Sequence, residues 1–217
     1  MPWLYRVASY VFPPLFGRRT RWTGTEHVPD TGFVIAANHI SSIDPFILGL
    51  PLWPERCIRY MAKAELFNRW LGWAMRAIGT FPVRRGESDP GAFRTAVELL
   101  RSGEVVGMFP EGTRAKKGLR KKFASEPHTG TVRIALAAGV PVIPAAISGT
   151  DRLLSRDPIR IAIGPAVRLD DLDGMPRRRA AEIATTRLME AIETLAAGLR
   201  ESQPAAAAAE RPPHPNG

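Results

Sequence analysis

Short apolar runs that alternate with helix-like segments constrain the fold of this chain more than any other feature. The runs are short, mostly apolar and bounded by polar or turn-forming residues; they are 33–37, 57–61, 81–83, 105–109, 140–147 and 159–167. Runs of this length predict strands, and the uninterrupted run 33–37 predicts a strand that is buried on both faces.

The segments between these runs have the spacing of amphipathic helices. Apolar residues recur at helical spacing in 46–50, 64–78, 131–138 and 177–199. A further helix is predicted to begin at Asp89-Pro90, as cap and first position, and to stop at Gly103. Strands separated by helices predict an α/β fold, a single domain with a mixed, mainly parallel sheet flanked by helices.

Composition divides the chain into three parts. Residues 1–20 are apolar and aromatic, 21–200 form the predicted α/β domain, and 201–217 form a Pro- and Ala-rich tail that we expect to be disordered. A length of 217 residues suits one such domain with short appendages. The single cysteine, Cys57, excludes an intrachain disulfide and a cluster of cysteine ligands, and its apolar surroundings predict a buried structural thiol.

The N-terminal segment has two interpretations. Arg6 and Pro13-Pro14 interrupt it, so it falls short of the about 20 mostly apolar residues that a membrane span needs. Because the basic stretch 18–21 follows directly, the segment predicts either an interfacial anchor that lies on a bilayer or a helix packed on the domain. The formal net charge of +9 favours an anionic partner, which includes an acidic bilayer, a phosphorylated ligand or nucleic acid.

Polar residues that follow the run 33–37 form the first candidate site. Asn38 and His39 come directly after the run, and Asp44 lies five residues beyond His39. Open α/β folds place their sites at the carboxyl ends of strands, and an imidazole oriented by a carboxylate can act as a general base. The alternative is structural: Asp44 caps a helix whose first residue is Pro45, and His39 merely ends a strand.

A second polar stretch, FPEGTR at 109–114, follows the run 105–109 and should emerge at the same edge of a parallel sheet. Its turn offers backbone N–H groups, the Thr113 hydroxyl and the Arg114 guanidinium, which can bind a phosphate in a bidentate fork. The alternative is a surface turn with a solvated arginine. A specified six-residue string arises by chance on the order of once in 10^7 to 10^8 positions, so the string is informative.

These two motifs together resemble those of the glycerolipid acyltransferase family, most closely the bacterial 1-acylglycerol-3-phosphate (lysophosphatidate) acyltransferases. Residues 79–86 (GTFPVRRG) resemble the second sequence block of that family, and residues 140–144 (VPVIP) resemble the fourth. Four blocks in order, within a similarity that covers roughly 23–150, are more specific for the family than for the substrate.

The resemblance implies an O-acyltransferase that moves a fatty acyl group from acyl-CoA or acyl carrier protein to the free hydroxyl of 1-acylglycerol-3-phosphate. The product would be phosphatidic acid, for phospholipid biosynthesis. His39 would be the catalytic base and Asp44 its orienting partner, with no covalent acyl-enzyme, metal or cofactor. The residues implied to bind the acceptor are Arg85, Glu111, Gly112, Thr113, Arg114 and His128.

Two departures from the family pattern concern the acceptor. Arg84 stands where the family commonly has an acidic residue, and His128 stands where it commonly has a lysine. That lysine usually contributes positive charge near the phosphate. Either Arg84, Lys121 or Lys122 therefore compensates, or the acceptor is another lysophospholipid, a glycolipid or a lyso-aminolipid.

Membrane contact is the expected setting for such an enzyme, which would be monotopic on the anionic, cytoplasmic face of the cell membrane. The other function classes are a catalytically silent membrane-binding relative, which the presence of both His39 and Asp44 argues against, and a basic nucleic-acid-binding protein. No nucleic acid is expected as a partner, because the basic stretch 114–122 carries no aromatic stacking pattern.

Trp70 and Trp73 also have two interpretations. With Arg69 and Arg76 they predict either a further interfacial surface or ordinary core packing.

Overall fold

The computed structural model describes residues 17–84, 89–110, 129–153 and 157–202, and seven strands in these ranges form one sheet. The strands are β1 (Thr20–Thr23), β2 (Phe33–Ala37), β3 (Ile58–Lys63), β4 (Phe81–Val83), β5 (Val105–Met108), β6 (Val142–Ser148) and β7 (Ile159–Ile163). Their order across the sheet is β1-β7-β6-β2-β5-β3-β4. All neighbours pair in parallel except β6 and β7, which confirms the predicted mixed, mainly parallel sheet.

Five helices accompany the sheet in the described residues: α1 (Asp44–Leu48), α2 (Gly72–Ala77), α3 (Pro90–Arg101), α4 (Gly130–Ala138) and α5 (Arg177–Glu201). The start of α3 follows the prediction, because the Asp89 side chain accepts hydrogen bonds from the N–H groups of Gly91 and Ala92. Together with the N–H of Arg84, the largest influence, these bonds hold the pKa of Asp89 below its usual value. Gly103, at a φ of 86°, follows α3 in the left-handed conformation expected of a stop.

The core lies on both faces of β2, whose five residues are all buried. Because successive side chains of a strand point to opposite faces, Val34 and Ala36 pack with α3, α4 and α5, whereas Phe33, Ile35 and Ala37 pack with α1 and the residues after it. A strand with neighbours on both sides and apolar layers on both faces is rigid, so it is a good support for the residues that follow it.

The predicted helix 64–78 is wrong as a single element. The chain forms a 3-10 turn at Ala64–Phe67, breaks, and forms the short helix α2. Asn68 causes the break, because its side-chain oxygen accepts hydrogen bonds from the N–H groups of Trp70 and Leu71 and so replaces helical bonds. The interpretation of Trp70 and Trp73 as core residues is also wrong, because their side chains are 81% and 60% exposed.

Three other expectations need adjustment or stay open. The strand predicted at 159–167 ends at Ile163, and β1 pairs with it although no strand was predicted at 20–23. Residues 1–16 and 203–217 lie outside the described residues, so the division into 1–20, 21–200 and 201–217 stays a prediction. None of the described helices is both long and apolar enough to span a bilayer.

An ion pair links β3 to the residue before β5 at the amino edge of the sheet, where these two parallel strands begin. Arg59 donates from Nε and Nη2 to the two carboxylate oxygens of Glu104, over 3.1 and 3.0 Å. This bidentate contact holds the pKa of Glu104 below its usual value. Cys57 lies at the same edge and is buried, as predicted for a structural thiol.

Candidate active site

The carboxyl edge of the sheet, where β2, β5 and β6 end side by side, gathers the polar residues of the candidate site. His39 follows β2, Phe109 follows β5, and Thr150 follows β6. Because these three strands are adjacent and parallel, residues far apart in sequence meet in one small region.

Asp44 is fully buried, and both of its carboxylate oxygens are hydrogen-bonded. Oδ2 accepts from the N–H groups of Ile40 and Ser41, over 2.6 and 2.7 Å, and Oδ1 accepts from the hydroxyl of Thr150 over 2.6 Å. A charged carboxylate can be buried without water only if such donors replace its hydration. The bonded N–H groups precede α1, so the Asp44 side chain closes the loop after β2. The alternative, in which Asp44 caps a helix whose first residue is Pro45, is wrong, because Asp44 is itself the first residue of α1 and its side chain does not bond to the N–H groups of that helix.

His39 is in direct contact with this carboxylate. Its Nδ1 lies 2.9 Å from Asp44 Oδ2, and its side chain is 17% exposed. Since an ionised carboxylate can only accept, the contact favours the tautomer of the neutral ring in which Nδ1 carries the proton and Nε2 has the lone pair. The Phe109 ring stacks on the imidazole with 4.3 Å between centroids, which fixes the plane of the ring.

Asn38 joins the ends of β2 and β6. Its side-chain amide donates to the carbonyl of Ile147 over 3.0 Å and accepts from the N–H of Ile147 over 2.8 Å. These two bonds continue the β2–β6 ladder by one further pair. They therefore fix the end of β2, which leads to His39, against the end of β6, which leads to Thr150.

A stack of aromatic rings supports the imidazole from the side of β5. The Tyr60 ring lies 6.0 Å from that of Phe109 and nearly parallel to it. Gly107 makes room for Tyr60, because a Cβ atom at this position would lie 2.2 Å from Tyr60 Cε1. The support thus depends on a glycine in the middle of a strand, where glycine is otherwise unfavourable.

The predicted contact between His39 and Asp44 is present, whereas their catalytic role stays a prediction. The other predicted site residues lie outside the described residues; they are Arg85, Glu111, Gly112, Thr113, Arg114 and His128. Among the described residues, Arg84 directly follows β4 and Pro110 lies two residues after β5, both at the carboxyl edge.

Sequence reasoning gave no role to Thr150, to the ring of Phe109 or to the amide of Asn38. The signal that singled out His39, a polar residue at the end of a buried strand, also applies to Thr150 after β6. Among the described residues, no three His, Cys, Asp or Glu side chains are grouped as a metal site would require.

Several known proteins are similar to this chain in sequence. The model of the family described as Acyltransferase matches residues 19–148, more than half of the chain. The 1-acyl-sn-glycerol-3-phosphate acyltransferase of Bacillus subtilis is 35% identical over 175 residues, which are 78% of this chain and 84% of that protein. A chloroplastic 1-acyl-sn-glycerol-3-phosphate acyltransferase of Brassica napus is 33% identical over 63% of this chain, and the match covers only 39% of the plant protein.

A solved structure has the same fold. The crystal structure of the 1-acyl-sn-glycerophosphate (LPA) acyltransferase PlsC from Thermotoga maritima superimposes with a TM-score of 0.53 at 27% sequence identity. The match covers 79% of this chain and 71% of the Thermotoga chain. The residues matched by the family model include both His39 and Asp44. On these grounds the chain belongs to the acyltransferase family of enzymes.

Proposed function

We propose that this enzyme transfers a fatty acyl group from an acyl thioester to the free hydroxyl of 1-acylglycerol-3-phosphate, which gives phosphatidic acid for phospholipid biosynthesis. The observation that carries the proposal is the contact of His39 with a fully buried, fully hydrogen-bonded Asp44 at the carboxyl edge. The names of the Bacillus, Brassica and Thermotoga relatives support the choice of acceptor.

Proton transfer at His39 is the central step of the proposed reaction. Nε2 removes the proton of the acceptor hydroxyl as its oxygen attacks the thioester carbonyl carbon. The C–O bond forms, the carbonyl oxygen carries the negative charge of the tetrahedral intermediate, and the C–S bond then breaks. The imidazolium returns the proton to the departing thiolate, so the products are an ester and a thiol.

Asp44 stabilises the charge that appears on the ring during this step. Its contact with Nδ1 keeps the tautomer in which Nε2 is basic, and it compensates the imidazolium. Direct attack needs no enzyme nucleophile. Cys57 is buried and lies at the opposite edge of the sheet, where it can take no part.

The acceptor phosphate would be bound by Arg85 and Arg114, and the turn at 111–113 would shape the acceptor site. His128, in the place of a lysine, would be compensated by one of the neighbouring basic residues. Chemistry of this kind uses the acyl thioester as co-substrate, from acyl-CoA or acyl carrier protein, and requires no prosthetic group. The setting we propose is the cytoplasmic face of an anionic membrane.

A thiol-release assay with acyl-CoA or acyl carrier protein and a panel of lysolipids tests the proposal. The wild-type chain should release thiol fastest with 1-acylglycerol-3-phosphate, and His39→Ala and Asp44→Asn should each lose at least about a thousandfold in turnover while remaining folded. Arg178→Gln, on an exposed residue of α5, is the matched control and should keep its rate. Near-wild-type turnover in both site variants would rule the mechanism out, and a faster rate with another lysolipid would reassign the acceptor.

A further inference from the structure

Large apolar side chains are exposed together in one short stretch beside the candidate active site. Eight large hydrophobic side chains are exposed among the described residues, and four of them, Leu66, Trp70, Leu71 and Trp73, lie within eight consecutive positions. Scattered exposed apolar residues are ordinary, whereas a cluster that contains two tryptophans indicates a surface that a partner covers.

The backbone holds these side chains outward by its own hydrogen bonds. Asn68 accepts from the N–H groups of Trp70 and Leu71, which breaks the helix between them and Phe67. At Gly72 a Cβ atom would lie 2.8 Å from the carbonyl oxygen of Phe67, so only glycine permits this close return of the chain. The exposure therefore follows from defined local structure.

Positive charge surrounds the exposed rings. Residues 63–76 contain three basic residues, Lys63, Arg69 and Arg76, and one acidic residue, Glu65. The Arg69 guanidinium lies 5.7 Å from the centre of the Trp70 ring. Tryptophan beside arginine is the combination that suits the head-group region of a bilayer, where the ring is partly buried in lipid and the cation meets phosphate.

The position of the stretch in the fold adds a second argument. Lys63 ends β3 at the carboxyl edge, so residues 64–71 begin at the edge that carries His39. Because β1 runs parallel to β7, which is antiparallel to β6, the start of β1 lies at this edge too. The described part of the chain therefore begins, at Gly17 just before β1, at the edge from which residues 64–71 also start.

We infer that Leu66, Trp70, Leu71 and Trp73, with Lys63, Arg69 and Arg76, form a tryptophan surface that docks the enzyme on an anionic phospholipid bilayer. The inference deepens the proposed function, since a docked carboxyl edge would face the membrane that contains the lipid acceptor. Charge complementarity and the mixture of aromatic and basic side chains select a bilayer over a neutral apolar partner.

Tryptophan fluorescence with brominated lipids tests the surface directly. Replacing Trp3, Trp22 and Trp53 by phenylalanine leaves Trp70 and Trp73 as the only tryptophans of the five in the full chain. Anionic vesicles of phosphatidylglycerol and brominated phosphatidylcholine should quench their emission. Vesicle binding without quenching would overturn the inference, because it would place the contact elsewhere, for example at residues 1–16.

Vesicle co-sedimentation measures how much the surface contributes. Trp70→Ala/Trp73→Ala should weaken partitioning to anionic vesicles at least about tenfold. Trp22→Ala should not change it, because Trp22 lies in β1, at the other end of the strand order from β3 and β4. Arg69→Gln should weaken it about fivefold on anionic vesicles and leave it unchanged on neutral ones, unlike the control Arg178→Gln. A change below about twofold in the double variant would refute the surface.

The remaining outcomes separate this inference from the proposed function and from other occupants. His39→Ala should bind vesicles like the wild type, since docking needs no catalysis. Quenched tryptophans in a chain without acyltransferase activity would leave the surface intact and remove the proposed function. If the wild type self-associated and the double tryptophan variant did not, the occupant of the surface would be a second copy of the chain. If polynucleotide quenched the tryptophans and lipid did not, the occupant would be a nucleic acid.

Discussion

Thr150→Val tests whether the His39–Asp44 contact, and the activity proposed for it, depends on a residue that sequence reasoning did not single out. Thr150 is 1% exposed, and its hydroxyl donates to Asp44 Oδ1 over 2.6 Å. Valine has nearly the same shape and no hydroxyl, so the substitution removes one hydrogen bond without opening a large cavity. The other donors to Asp44, from Ile40, Ser41 and His39, remain in place.

The expected magnitude follows from the type of bond. A hydrogen bond to a charged group contributes about 1.5–3 kcal/mol, so the free energy of unfolding should fall by about that amount. If the same energy is lost when the imidazolium forms in the transition state, turnover should fall by a factor of about 10 to 150. The KM for the acceptor should change little, because the Thr150 hydroxyl is expected to act through Asp44.

The measurements are thiol release under saturating substrate and urea unfolding, with Thr150→Ser as the matched control. The chain has a single, buried thiol, so a thiol reagent gives a low background. Serine keeps the hydroxyl and should retain most of the turnover. The reasoning would be refuted if Thr150→Val turned over within about twofold of the wild type while Asp44→Asn was inactive. Equal losses in the valine and serine variants would mean that packing matters rather than the hydroxyl.

Three further substitutions probe the support of the site and the fold. Gly107→Ala should push the Tyr60 ring off β5, lower the free energy of unfolding by about 1–3 kcal/mol and reduce turnover, and Tyr60→Leu in the same chain should restore part of both in urea unfolding and thiol-release assays. Asn38→Ala removes the two hydrogen bonds to β6 and should cost about 1–3 kcal/mol in urea unfolding, whereas unchanged stability would show that the β2–β6 ladder needs no such extension. Glu104→Gln should cost about 0.5 kcal/mol at neutral pH. Because Arg59 lowers the pKa of Glu104 in the folded state, its contribution is present above the ordinary carboxyl pKa of 4.5 and is lost as the pH falls through the lowered value. A difference between wild type and Glu104→Gln that grew on acidification would contradict this.

Local patterns predicted most of the sheet because burial and strand propensity coincide in it. Each of the six predicted strands exists, and the Asp89 cap and the Gly103 stop lie where they were expected. The helix 64–78 failed for a local reason, since apolar spacing does not reveal that Asn68 competes for backbone N–H groups. β1 was missed because a short, polar strand has no pattern of its own and forms only by pairing with β7.

Only those contacts of the candidate site that join residues close together in sequence could be predicted from the sequence. His39 and Asp44 lie five positions apart, and a strand followed by a turn is enough to suggest their contact. Thr150 reaches the same carboxylate from 106 positions away, and only the strand order reveals that β6 is the neighbour of β2. The resemblance implied roles for Arg85 and Arg114; both residues lie outside the described residues, so these roles stay predictions.

The central place of β6 also has a consequence for how activity arises during folding. β6 sits between β2 and β7, although two-thirds of the chain precedes it in sequence. Until it inserts, Asp44 lacks Thr150 and Asn38 lacks its backbone partner, so an N-terminal fragment or a nascent chain lacks part of the hydrogen bonding that holds His39 and Asp44. In a refolding experiment, the appearance of activity should therefore coincide with the insertion of β6. This step is expected to be slow, because β2 and β6 are far apart in sequence.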